Sequence, residues 1–393
     1  MVEKEQPRVA GAPEGGSRAV EERSSDPTGR GEGRRRAPHA RLTIHDVARL
    51  SGVSIGTVSK ALNNSGKLRL ETRERVSAVA KQLGFRPNDL AQSLHRGQTF
   101  TVGVISTDSF GRFTMPIMEG LEECLSESRI SVFMCNATDD PEREARHVES
   151  LIGKRVDGIV VTARRADRRA RLEVHSPGLP VLYVFSQTDD PQPLCLLPDD
   201  RGGAILAAEH LVRLGRRHIA HVTGPERFEA VRLRHLGYRR ALRKAGLEAT
   251  QAFYLPGVWS EAWGREAVAQ LFGERRPAPD AIFCGNDQIA RGVADALRER
   301  GVRVPEAVAI VGFDNWEIVA QATRPPLTTI DMNLKELGRE AGRRMLDLIA
   351  GKHLHGVRRL PCSLILRDSC GSPVPPPSAG EGEGPSAEPR SPG

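Results

Sequence analysis

"TIHDVARLSGVSIGTVSKALN", residues 43–63, holds two apolar stripes of helical period broken by a glycine, each too short to build a core alone. Thr43 with Asp46 three residues on has the spacing of a capping box, and Ile44, Val47 and Ala48 then share one face. Gly52 stops this helix and Ser54 caps the next, in which Val58 and Leu62 point back toward the first. Gly56, Ser59, Lys60 and Asn63 are left facing outward, with Ile55 at the border. A third stretch, "LETRERVSAVAKQLG", supplies Val76, Val79, Ala80 and Leu83 to complete a three-helix core. The outward face of the second helix is small and polar at its start and basic in its middle, which suits a major groove about 12 Å wide.

Charge agrees with that reading. Between residues 41 and 97 ten Lys or Arg stand against four Asp or Glu, so nearly all of the chain's net +7 sits there. A basic module on a near-neutral body is the footprint of phosphate contact. Residues 41–84 therefore read as an all-α helix-turn-helix domain. Next comes "FRPNDLAQSLHRG", where Pro87 starts a short helix, Gly97 ends it, and Leu90 and Leu94 share a face. So short a helix is marginal alone in water, so a hinge over 85–99 that forms only against its own copy or DNA is expected. Residues 1–40 and 371–393, rich in Pro, Gly, Ser and Glu without apolar period, are expected to be disordered.

From Thr101 strand-length apolar runs alternate with amphipathic helices. "TVGVIS", "SVFMCN", "DGIVVT" and "PVLYVF" are of the kind buried on both faces of a parallel sheet. After "LLPDDRGG" the rhythm restarts with "HIAHVT", "AFYL", "DAIFCG" and "AVAIVGF". The alternation implies two doubly wound α/β lobes facing across a ligand cleft. The N-lobe is placed at about 100–198 plus 326–352, and the C-lobe at about 199–325 plus 353–370.

Several function classes are disfavoured. Neither an export signal nor an apolar run of about twenty residues is seen, so a cytoplasmic protein without membrane contact is expected, rather than a solute-binding receptor for transport or chemotaxis. The six scattered cysteines show neither zinc nor disulfide spacing. No GxGxxG follows a strand, no GxxxxGK[ST] loop occurs, and His218, His221 and His235 lack a nucleophile, so no catalysis, metal or cofactor is expected.

In order and spacing, "TIHDVARLSGVSIGTVSKALN", "RPNDLAQSL", "RVDGIVV", "DDRGGAILAAEHLVRLGRRHIAHVTG", "FCGNDQIARGV" and "VPEAVAIVGFDNWE" resemble the lactose repressor and galactose repressor (LacI/GalR) family of transcriptional regulators. The resemblance covers about residues 42–370 and implies a periplasmic-binding-protein-like body. It also implies a homodimer on a pseudo-palindromic double-stranded operator and a small effector, most often a sugar that releases the DNA. Corepression by a nucleobase or another non-sugar ligand is the alternative. Ile55, Gly56 and Lys60 match base-choosing positions, and Leu94 matches a minor-groove wedge. The whole expected DNA-facing set is Thr43, Ser54, Ile55, Gly56, Thr57, Ser59, Lys60, Asn63, Asn88 and Leu94. Arg232, Asn286 and Asp314 match polar effector contacts and Trp259 an aromatic one; Phe110, Phe113, Phe185 and Trp316 complete the expected effector set. Phe185 stands where several sugar-binding members carry an acid. Trp263 is read equally as ligand-facing or as packing its own helix.

Overall fold

The computed structural model describes residues 42–63, 65–85, 98–250, 253–273 and 278–371, in two units, a head ending at Pro87 and a body beginning at Asn88. The expected hinge helix with Asn88 and Leu94, the N-terminal arm and almost all of the C-terminal tail lie outside the described residues.

The head has α1 (Ile44–Ser51), α2 (Ile55–Leu62) and α3 (Leu70–Leu83). Thr43 donates its N–H and its hydroxyl to Asp46 Oδ2, at 3.1 and 2.9 Å, closing the first turn of α1. Gly52 ends α1 with φ 67°, a left-handed conformation that a side chain would strain, and so sets the sharp turn into α2. Ser54 Oγ accepts from Thr57 N–H at 3.1 Å and caps α2. Val47, Ala48, Val58, Ala61, Val76 and Ala80 are buried together, with Ile44, Leu62, Val79 and Leu83 packed around them.

The body's first lobe is a sheet of six strands in the order β13-β7-β5-β3-β1-β2: Gly356–Leu360, Leu194–Pro198, Val181–Val184, Gly158–Thr162, Thr101–Ser106 and Ser131–Asn136. The second has the order β14-β12-β11-β10-β8-β9: Ser363–Ile365, Thr329–Asp331, Ala309–Asp314, Ala281–Cys284, Ile219–Thr223 and Tyr254–Pro256. All pairs are parallel except β12 with β14. Successive residues of the central strands serve opposite faces: Val102, Val104, Val160, Leu182 and Val184 join one apolar cluster, while Ile105, Ile159, Val161 and Tyr183 join another. Two covered faces explain why these strands read as unbroken apolar runs.

Helices α4 (Thr114–Glu127) and α11 (Leu334–Ile349) pack on the first lobe with their backbones nearly touching. A Cβ on Gly120 would fall inside the Lys335 carbonyl oxygen, and one on Gly338 inside that of Ile117. The second lobe is covered by α6 (Asp200–Arg213) and α7 (Glu229–Lys244) on one face and by α8 (Glu261–Leu271) and α9 (Asp287–Glu299) on the other. No described helix is long and apolar enough to cross a membrane.

Three expectations are corrected. β2 is an edge strand, with Phe133 47% and Met134 42% exposed, because apolar content alone does not say which strand ends a sheet. The lobe crossings fall later than placed. Thr329–Asp331 pairs with Gly312–Asp314 in the second lobe, and Gly356–Leu360 pairs with Leu194–Pro198 in the first. Between β3 and β5 the rhythm calls for a helix, yet "ARRADRRARLEVHSPGLP" has no apolar period and forms only β4 (Arg168–Arg169), paired with β6 (Gln187–Thr188).

Gly120→Ala should lower stability by about 1–3 kcal/mol by wedging α4 from α11, measured as a reduced urea midpoint.

Candidate functional site

On the head, the face of α2 turned from the core carries Ile55, Gly56 and Lys60, all exposed, with Thr57, Ser59 and Asn63 half-buried beside them. Asn63 donates Nδ2–H to Ser59 Oγ at 3.3 Å, and the Ser54 and Thr57 hydroxyls lie 2.9 Å apart. The result is a polar ridge with a glycine gap near its start, which lets a second surface approach the helix closely.

In the body, the C-terminal ends of both sheets meet around a group of buried charges. Arg234, on α7, is 6% exposed in its side chain. It donates Nε–H to Asp200 Oδ1 at 2.8 Å, holds a second contact to the same oxygen at 2.7 Å, and donates to the Gly285 carbonyl. Its guanidinium lies 3.6 Å from the Phe313 ring centroid, and Nη1 stands 3.5 Å from Asp314 Oδ1. Asp314 in turn accepts Arg112 Nη2–H at 2.5 Å, a contact between the lobes, because Arg112 precedes α4 and Asp314 ends β11. Arg112 also donates to Gln288 Oε1 at 3.3 Å, and its guanidinium sits 4.3 Å from the Trp316 ring and 4.8 Å from Phe113. Phe113 stacks on Phe185 at 4.9 Å. Phe185 and Asp314 hold left-handed backbone, φ 52° and 105°, a strain that side chains of this size sustain only where the surroundings impose it.

Burial pushes the Asp200 and Asp314 carboxyls up, with the arginine charges opposing it. Asp287, accepting from Thr329 Oγ1–H at 2.5 Å and Trp316 N–H at 2.7 Å, is pushed up to about 7 by burial and then by the Asp314 charge. Asn286 is buried and caps α9, its Oδ1 accepting from Ile289 N–H at 2.9 Å. A second bridge between the lobes forms where Asp167 Oδ1 accepts Glu229 N–H at 2.9 Å, capping α7 from the other lobe.

The cleft thus brings together Phe113, Phe185, Asn286, Asp314 and Trp316. Trp259 is half-buried, its indole covering Gly224 at the end of β8. Trp263 packs: its Nε1–H donates to the Thr223 carbonyl at 3.0 Å. Two residues are not in the cleft. Phe110 is 98% exposed, and Arg232 is 61% exposed, paired only with Glu229 one turn away. The arginine that enters is Arg234. The buried positions of α7 are Val231, Arg234, Gly237, Tyr238, Ala241 and Leu242, and Arg232 lies about 200° around the helix from Arg234. An arginine on the apolar stripe was the available signal. For Arg112, Asp200 and Asp287 no periodic signal exists, because their partners are brought by other elements.

A head built on an exposed second helix, followed by a two-lobed, cleft-bearing α/β body, defines a ligand-responsive DNA-binding regulator. Residues 43–88 match the bacterial regulatory proteins of the lacI family, and residues 208–370 match a periplasmic binding protein-like domain. The chain is 33% identical over 339 residues to the HTH-type transcriptional regulator DegA of Bacillus subtilis (strain 168), covering 84% of this chain and 98% of the relative. It is 34% identical over 297 residues to the ribose operon repressor of Escherichia coli (strain K12), covering 75% and 89%. A crystal structure of the lac repressor dimer bound to operator and the anti-inducer ONPF matches with a TM-score of 0.69 at 29% identity, covering 84% of this chain and 98% of that one. The chain belongs to the lacI family and is a DNA-binding transcriptional regulator.

Two outcomes check the cleft. Arg234→Ala should cost about 3–5 kcal/mol, since it strands Asp200 and Asp314, while Arg232→Ala should stay within about 0.5 kcal/mol of the parent by urea unfolding. A carboxyl whose pKa is higher folded than unfolded adds stability below the unfolded value of about 3.9, and that stability is lost as the pH rises through the folded value. Asp287 therefore makes the melting temperature fall between about pH 4 and 7, and Asp287→Asn should flatten that fall even though it lowers the absolute value.

Proposed function

We propose that this chain is a homodimeric repressor of carbohydrate-use genes that reads both halves of a pseudo-palindromic operator and lets go when a small effector enters the cleft. It acts in the cytoplasm and catalyses nothing. Ile55, Gly56 and Lys60 choose bases, while Thr43, Ser54, Thr57, Ser59 and Asn63 position the head on phosphates and edges. Asn88 and Leu94 belong to the hinge in this reading. The cleft set is Phe113, Phe185, Arg234, Trp259, Asn286, Asp314 and Trp316, so Arg234 replaces Arg232.

The observation that carries this reading is the pairing of Arg112 with Asp314 between the lobes, next to aromatic faces. A ligand inserted there must change how the lobes meet, and only a ligand with different affinities for two arrangements shifts an equilibrium between them.

The test begins with selection of duplexes from a random pool by the purified chain. A symmetric consensus is expected, with binding that weakens with salt at a slope of about −0.9 per neutralised phosphate. Lys60→Ala should weaken binding to that consensus by about 1–3 kcal/mol. A pool that yields no symmetric consensus overturns the proposal. A cleft ligand that tightens rather than loosens the complex makes the protein a corepressed member, as expected for a nucleobase or other non-sugar ligand.

A further inference from the structure

We propose that the effector is anionic, a polyhydroxylated acid or sugar phosphate whose carboxylate or phosphate takes over Arg112 while its hydroxyls engage Asp314. This rests on the cleft being the effector site and concerns the chemistry that site selects.

The argument follows the charges on each lobe. Among the described residues of the first lobe, Arg112 has no acidic partner. Asp108, the nearest carboxylate in sequence, is buried and committed to the N–H groups of Phe113 and Thr114, at 2.8 and 3.0 Å. Phe185, where the family resemblance leads one to expect an acid, is uncharged and lays its ring on Phe113. The countercharge of Arg112 is Asp314, borrowed from the other lobe, and the two side chains are 15% and 6% exposed. On the second lobe Arg234 is already engaged by Asp200, so Asp314 carries the surplus negative charge there.

A ligand that enters between Arg112 and Asp314 separates a largely desolvated ion pair. A charge left buried without a partner is strongly unfavourable, so the ligand has to satisfy both halves. Toward Asp314 hydroxyl donors suffice, because Arg234 Nη1 stays 3.5 Å from its Oδ1. Toward Arg112, whose planar fork accommodates two oxygens of a carboxylate or phosphate, a neutral hydroxyl does not replace the lost charge. Arg112 also keeps one unused donor: its Nε is buried with no hydrogen-bond partner. The hydroxyls of Thr162, the last residue of β3, and Ser186, two residues past β5, are likewise buried without partners at the C-terminal edge of the first sheet. The Nε–H donates and both hydroxyls are able to, as an anion requires. The rings of Phe113 and Trp316 flanking the guanidinium hold it in plane while its partner is exchanged.

The test uses matched pairs on the purified full chain: glucose with glucuronate, galactose with galacturonate, and ribose with ribose 5-phosphate. Melting temperature and operator affinity are read for the parent and for Arg112→Gln. The charged member of at least one pair should raise the melting temperature and shift operator affinity, with its neutral partner at least about 30-fold weaker. Arg112→Gln should remove that preference, read as the charged-to-neutral ratio within the variant itself; Arg112→Lys should restore part of it. The carboxylate and phosphate pairs separate the two anion types. If a neutral member binds as tightly as its charged partner, or Arg112→Gln keeps the charged preference, the inference falls and the effector cleft stands. If no member of any pair binds, the inference falls and the effector half of the proposed function falls with it.

Discussion

The arrangement of the body depends on one constraint: charges removed from water must be paired. Asp200, Asp314, Arg234 and Arg112 come from four separate elements, and each side chain is at most 15% exposed. Arg234 anchors the start of α6 to α7, and Asp314 extends the chain of contacts to the other lobe. Such pairs contribute little net stability compared with well-packed apolar residues, but removing one member leaves an uncompensated buried charge. They therefore specify geometry more than they add stability. Three phenylalanines and a tryptophan pack against the two guanidinium planes or each other, which keeps water out and makes the pairing matter.

The three passages between the lobes are laced together. Asp199 donates its N–H to the Leu360 carbonyl at 2.7 Å, joining the first passage to the third. Asn333, with φ 52°, donates Nδ2–H to the Pro361 carbonyl at 2.9 Å and accepts from Ser363 Oγ–H at 3.1 Å, joining the second to the third. A strap of three cross-linked strands resists sliding and permits rotation about its own line. Beside this strap, two contacts tie the lobes to each other, Arg112 with Asp314 and Asp167 with the start of α7.

Much of this was readable from residue order. The head core follows from helical spacing, since Val47, Ala48, Val58, Val76 and Ala80 sit where period 3.6 puts them. The strands of the body follow from apolar runs bounded by turn residues. What was not readable depends on partners distant in sequence. Whether "SVFMCN" is central or at an edge is decided by strand order, which no local pattern carries. β13 joins the first lobe because Gly356–Leu360 finds β7 some 160 positions earlier. At the site, choosing Arg232 over Arg234 was an error of phase on one helix, whereas Arg112 acquires its meaning only from Asp314, two hundred residues away.

The same distance explains how a cleft can differ in chemistry while the fold around it stays the same. Phe185 gives the first lobe an uncharged face just past β5, and Arg112 gives it a positive charge past the end of β1. Neither residue lies in a strand or a helix, because both sit in connections at the ends of β5 and β1. The second lobe faces them with Asp314 and Arg234, so Asp314 supplies Arg112 with a countercharge from across the cleft. Under the proposal of an anionic effector, the ligand has to outcompete a carboxylate already paired with Arg112, which sets a threshold on its charge and makes weakly polar competitors ineffective.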